Sequence, residues 1–96
     1  MVENYQMTIT ATPIKIVQTA TGVNLTHVYV TNQSSTNNVF VGGDSTVTSL
    51  TGYELGPDTG SSQAFRQEFT LPANEELYAV CAAGQTAVVT ILVTEE

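Results

Sequence analysis

Ninety-six residues suit one domain built around one core. Only 11% of them are charged, nine acids against Lys15 and Arg66, for a net charge of −7. Two cations are too few to neutralise a run of phosphates or to hold an anionic lipid surface, which sets aside nucleic acid and membrane as partners.

Thr and Val dominate what remains, and β-branched side chains favour strands over helices. From Asn4 to Thr12 apolar and polar residues alternate, with Tyr5, Met7, Ile9 and Ala11 on one face, the period of a half-buried strand. Segment 1–12 is expected as a first strand or an N-terminal arm. It lacks the basic start and apolar centre of a secretory signal. No run reaches the roughly 20 apolar residues of a membrane span, so synthesis in a cytoplasm is expected.

Pro13 interrupts the pattern, and a second strand is predicted over Ile14–Thr19 with Ile14 and Ile16 inward and Lys15 in solvent. Thr21 to Asn24 reads as a turn. Leu25–Asn32 is the next strand, Val28 and Val30 on one face, His27 and Tyr29 on the other. The polar run Asn32–Asn38 is built from turn formers and predicts an exposed hairpin loop, with Val39-Phe40-Val41 as the returning strand.

Val39–Pro57 is the stretch the chain is organised around. It begins as a strand, breaks at Gly42-Gly43, continues as a β-branched ribbon over Ser45–Thr48, breaks again at Gly52 and closes at Gly56-Pro57. The glycine pair predicts positive φ or close approach by another backbone. A phosphate cradle would need a lysine and a helix start after the glycines, and neither follows. Asp44, Glu54 and Asp58 do not have the spacing of a calcium loop. Gly42, Gly43, Gly52 and Tyr53 are therefore expected to form a structural turn, with Tyr53 and Leu55 fastening the returning segment to the core. No metal or cofactor is expected.

After the loop Gly56–Gln63, a strand over Ala64–Leu71 places Phe65, Gln67 and Phe69 on one face and Arg66 and Glu68 on the other. Pro72–Glu76 turns the chain into Leu77–Ala82. Cys81 sits within that apolar run and is expected to be a small buried hydrophobe. The last strand, Thr86–Thr94, is uncharged, β-branched and free of proline. Left as an edge it would invite aggregation, so it is expected at the centre of a sheet, covered on both faces, or capped by another subunit. Glu95 and Glu96 behind it look like gatekeeper charges. Seven or eight short antiparallel strands, with no stretch of helical period, predict a single all-β domain, a β-sandwich or jelly roll.

The succession His27-Val-Tyr-Val-Thr-Asn32, Val39-Phe-Val-Gly-Gly43, Val47-Thr48, Gly52-Tyr53-Glu-Leu55-Gly-Pro57 and Glu76-Leu-Tyr-Ala-Val80, ending in a Val-rich strand, resembles small virion proteins of tailed bacteriophages. The likeness runs from Leu25 onward, and its motifs are structural rather than chemical. It implies a head decoration (cement) protein on the capsid exterior, made in the host bacterial cytoplasm, with the major capsid protein as partner. It further implies self-association, as a homotrimer or another symmetric cluster, and no catalytic residues. The N-terminal segment, outside the likeness, supplies the candidate capsid contacts Val2, Tyr5 and Met7. A tail, neck or fibre module that binds another virion protein or a host glycan is the alternative, with Tyr29, Tyr53 and Tyr78 as platforms; the lack of tryptophan counts against it. One histidine, one cysteine and no paired acids leave little for an enzyme.

Overall fold

The computed structural model describes residues 2–58 and 66–95. The alternating segments become eight strands: β1 (Val2–Ile9), β2 (Ile14–Gln18), β3 (Thr26–Asn32), β4 (Val39–Gly42), β5 (Tyr53–Leu55), β6 (Arg66–Leu71), β7 (Glu76–Val80) and β8 (Ala87–Glu95). They form two four-stranded antiparallel sheets, β1-β8-β3-β6 and β2-β7-β4-β5. There is no helix among the described residues.

The pairing is nested. β4 pairs β5, β3 pairs β6, β2 pairs β7 and β1 pairs β8, so one long ribbon has been rolled on itself, alternate pairs falling in opposite sheets. This is the strand order of a jelly roll. Period-two alternation fills the space between the layers. Val28 and Val30 from β3, Val89 and Ile91 from β8, Val39 from β4 and Leu55 from β5 are essentially sealed from solvent. Tyr5 and Met7 of β1 and Phe69 and Leu71 of β6 close the flanks of that core.

Four expectations change at the level of local structure. The first strand stops at Ile9, leaving Ala11 exposed. Ile14 is 39% exposed while both Ile16 and Val17 are buried. A β-bulge is the cause: Lys15 pairs Tyr78 and Val17 pairs Leu77, so Ile16 is an extra residue and two consecutive side chains turn inward. The segment after β3 is not a hairpin loop, because β3 and β4 lie in different sheets. It is an arch across the end of the sandwich. Finally, Ser45–Thr48 is no ribbon; residues 43–52 form consecutive turns.

The arch is organised by Asn32, which is completely buried. Its side-chain amide donates to the carbonyls of Asn37 (2.8 Å), Leu55 (3.1 Å) and Gly56 (3.0 Å), and its carbonyl oxygen accepts from the Ser34 N–H (2.9 Å). The last residue of one sheet thus satisfies backbone groups at the edge of the other. A second corner is tied by the buried Thr19: its hydroxyl donates to Pro72 O and accepts from Glu75 N–H, both at 2.7 Å. That fixes the turn before β7, in which Asn74 takes φ 61°.

The strand β8 is central, between β1 and β3, as expected of so apolar a segment. Its inner side chains are buried, but its outer face is not covered: Val88 is 38% exposed and Thr90, Leu92 and Thr94 are half-buried. The loop tail from Thr59 and the predicted strand residues Ala64 and Phe65 lie outside the described residues.

Candidate docking surfaces

The hairpin β4–β5 pairs Val39 with Leu55 and Val41 with Tyr53, so the Val39–Pro57 stretch is indeed strand, loop and strand. Its loop curls back over the outer face of the β2-β7-β4-β5 sheet. Val47 carries that contact and is buried to 6% exposure, as is Val80 to 3%, yet neither belongs to the central core. Val47 packs instead over Gly42 and Gly52, on the side of the sheet away from that core.

The glycines serve this fold-back, with one exception. A Cβ at Gly42 would stand 2.6 Å from Val47 Cγ2; one at Gly52 would stand 2.8 Å from Phe40 Cβ and 2.9 Å from Val47 Cγ2. At Gly42 the close approach is by a side chain alone; at Gly52 the Phe40 backbone carbon would also stand 3.2 Å from that Cβ, and neither residue has positive φ. Gly43 meets nothing within 4 Å and needs no glycine conformation, so its expected role in the turn is not required by the geometry.

The rest of the loop is wired by its own Ser/Thr-type chemistry. Thr48 O accepts from Thr51 N–H (3.2 Å) and Gly52 N–H (2.9 Å), Thr48 Oγ1 from Leu50 N–H (3.1 Å), and Thr51 Oγ1 from Thr48 N–H (3.0 Å). At the near end Asp44 accepts from Thr46 N–H (2.9 Å) and from the Thr46 hydroxyl. These bonds hold the Asp44 carboxyl below the usual carboxylate range. The result is a preorganised loop that presents Leu50 at 93% exposure. Sequence reasoning passed over Leu50; the available signal was one aliphatic residue set in the polar run Thr48-Ser49-Leu50-Thr51.

Other candidates are placed differently from expectation. Tyr5 and Met7 face the core, so of the three N-terminal contact candidates only Val2, 68% exposed, offers its side chain outward. Tyr53 is 53% exposed rather than landed on the core, and it joins the two sheets at their open flank. Its ring meets Phe69 edge-on with centroids 5.8 Å apart, and its hydroxyl donates to Gln67 Oε1 (3.1 Å). Leu55, by contrast, is buried as expected.

The three tyrosines do not form one platform. Tyr29 lies on the outer face of the β1-β8-β3-β6 sheet, Tyr78 on the outer face of the other sheet, and Tyr53 at the flank. Glu68 raises the Tyr29 phenol and Glu76 that of Tyr78. His27 Nδ1 lies 3.2 Å from Glu68 Oε2 on the outer face. Cys81 is buried, its thiol donates weakly to Ile9 O (3.5 Å), and burial pushes its pKa up, the reverse of an activated nucleophile. Among the described residues no three His, Cys, Asp or Glu gather as a metal site would require, and Asp44, Glu54 and Asp58 do not converge.

No protein-family model matches the chain, and no curated protein does. Among the solved structures similar to it are the following two. One is from work describing Bacillus endospore appendages as disulfide-linked pili, with a TM-score of 0.60 at 16% identity, covering 97% of this chain and 82% of that one. The other is PliG of Aeromonas hydrophila, a periplasmic inhibitor of g-type lysozyme, at 0.48 and 13% identity, covering 99% and 86%. At such identities the first likeness is one of fold alone, and it places the chain among small two-sheet β domains.

Proposed function

We propose that the chain is a structural, non-enzymatic protein of a tailed-bacteriophage particle, a decoration protein that seats on the outer head lattice as a symmetric cluster and stabilises it. Two things support the reading. The ordered motifs from His27 to Val80 resemble that group, and they fall on β3, on the β4–β5 hairpin with its fold-back loop, and on β7. The observation that carries it is Leu50, an aliphatic side chain held almost fully in solvent by a loop whose bonds leave little to order on docking. Many copies, each with one modest apolar contact, attach firmly through multivalency. The net charge of −7 suits an exterior position away from packaged DNA.

The test has two arms. Virions from cells that make this chain are purified and the 10.2 kDa protein is located in an averaged image. Regular density on the head exterior supports the proposal; a tail position, or absence from virions, overturns it. Separately, Leu50→Asp is expected to weaken co-sedimentation with purified heads at least tenfold without loss of fold, because one buried leucine contributes about 1.5–3 kcal/mol. Unchanged binding would remove Leu50 from the contact.

A further inference from the structure

The acids are not spread evenly over this −7 chain. Residues that point outward from β1, β8 and β3 are Val2, Asn4, Gln6 and Thr8; Val88, Thr90, Leu92 and Thr94; and His27, Tyr29 and Thr31. None is a carboxylate, lysine or arginine. Among the described residues the formal charges on this face are Arg66 and Glu68, both on the edge strand β6. The opposite outer face carries Lys15, Glu54, Glu76 and, in its loop, Asp44.

We infer that the outer face of the β1-β8-β3-β6 sheet is a self-docking surface, on which two copies of this chain pair face to face about a twofold axis. Charge selects the occupant. Two chains of −7 repel, and this face lets them meet over uncharged strands β1, β8 and β3, with its described carboxylate, Glu68, confined to the β6 edge beside Arg66. Part of the polar bonding at its centre is met within one copy: Thr90 Oγ1 accepts from Gln6 Nε2 (3.3 Å) and Gln33 Nε2 (3.1 Å), which lessens what contact would strand. Leu92 and Tyr29, neighbours across the β8–β3 ladder, supply the apolar middle, with Val88 farther along the strand.

Size agrees. Four strands at about 4.8 Å and eight residues at about 3.4 Å give roughly 500 Å² per copy. That is roughly 1,000 Å² in all, the lower bound for a specific interface. The pair should be weak, with a dissociation constant of order 10 µM. A twofold face contact closes at two copies, unlike the threefold cluster implied by the phage resemblance. It holds or fails whatever the chain attaches to, so it is independent of the decoration reading.

The experiment is sedimentation equilibrium of the full chain from about 1 to 500 µM, at low and at about 0.5 M salt. The expected result is a dimer of twice 10.2 kDa that tightens with salt as like charges are screened. Thr90→Glu and Val88→Lys, with circular dichroism to verify the fold, should each raise the dissociation constant at least tenfold. Gln18→Glu, on the other sheet, should leave it unchanged. A wild-type monomer throughout, a trimer, or a dimer indifferent to both face variants overturns the inference. So does a dimer that only Gln18→Glu disrupts, since that would place the contact on the opposite face.

Discussion

The Tyr5 hydroxyl on β1 donates a hydrogen bond to the backbone carbonyl of Ile16 on β2, the one residue of that strand left without a partner by the bulge. A local irregularity in one sheet is thereby completed by a side chain from the other. Burial first, and the charge of Glu3 second, raise the Tyr5 pKa above the ordinary tyrosine value. The neutral phenol is the form the fold favours, so its contribution is intact below the unfolded value near pH 10 and is lost as pH rises through the higher folded one. Tyr5→Phe is expected to cost about 1 kcal/mol at neutral pH. It should also lessen the alkaline loss of stability, measured by thermal melts between pH 7 and 11. An alkaline limb identical to wild type would show that Tyr5 is not the titrating group.

Asn32 should prove to be among the most sensitive polar positions. Asn32→Ala strips three carbonyls and one N–H of their partner at a site closed to water, with an expected loss of about 2–4 kcal/mol. Asn38→Ala removes only an exposed bond to Glu54 and should stay within about 0.5 kcal/mol of wild type. Urea unfolding of the pair measures the contrast. Similar midpoints for the two variants would refute the hub.

The three glycines of the hairpin should separate cleanly. Gly52→Ala and Gly42→Ala drive a Cβ into Val47 or Phe40 and should each cost about 1–3 kcal/mol. Val47→Ala should partly relieve Gly42→Ala in a double-mutant cycle. Gly43→Ala enters open space at an ordinary φ, and by restricting the unfolded chain it should be neutral or stabilising by about 0.5 kcal/mol. Equal effects at 42 and 43 would contradict the fold-back geometry.

Thr26 is 1% exposed and its hydroxyl has no hydrogen-bond partner. Replacing it with valine keeps the shape and removes a buried, unsatisfied group. Thr26→Val should therefore gain about 1 kcal/mol in calorimetry, and a clear loss would mean that the hydroxyl is satisfied in solution.

The faces of β3 were legible because Thr26–Asn32 obeys a strict period of two, and both sheets need it to. The bulge in β2 was not, since Ile14, Ile16 and Val17 fit either a regular or a bulged strand until Leu77 and Tyr78 fix the register. Polar residues 33–38 suit a hairpin and an arch equally. What decides is where the Asn32 amide finds its acceptors, and Leu55 and Gly56 are far off in sequence. Val47 and Thr48 have strand propensity, but the Thr48 and Thr51 hydroxyls bond the local backbone and make turns instead. The pair Gly42-Gly43 signalled positive φ or close approach by a backbone, and of that pair only Gly42 is closely approached, by the Val47 side chain; Gly52 was legible as a break but not as a contact. The neutral outer face becomes visible only when registers bring residues from three distant segments together.

The nested pairing also dictates an order of assembly. The β4–β5 hairpin can close early, whereas β1 and β3 share no hydrogen bonds and are joined only through β8, which a ribosome makes after the other seven strands. Until that strand emerges, its sheet is limited to the β3–β6 pair, and Ile9, Val28 and Val30 lack the β8 side chains Val89 and Ile91 that share their interior. Folding should be correspondingly slow, governed by the most distant pairing in the chain. A nascent or truncated chain would leave β1 without a partner and one edge of β3 open, the species that chaperones must shield.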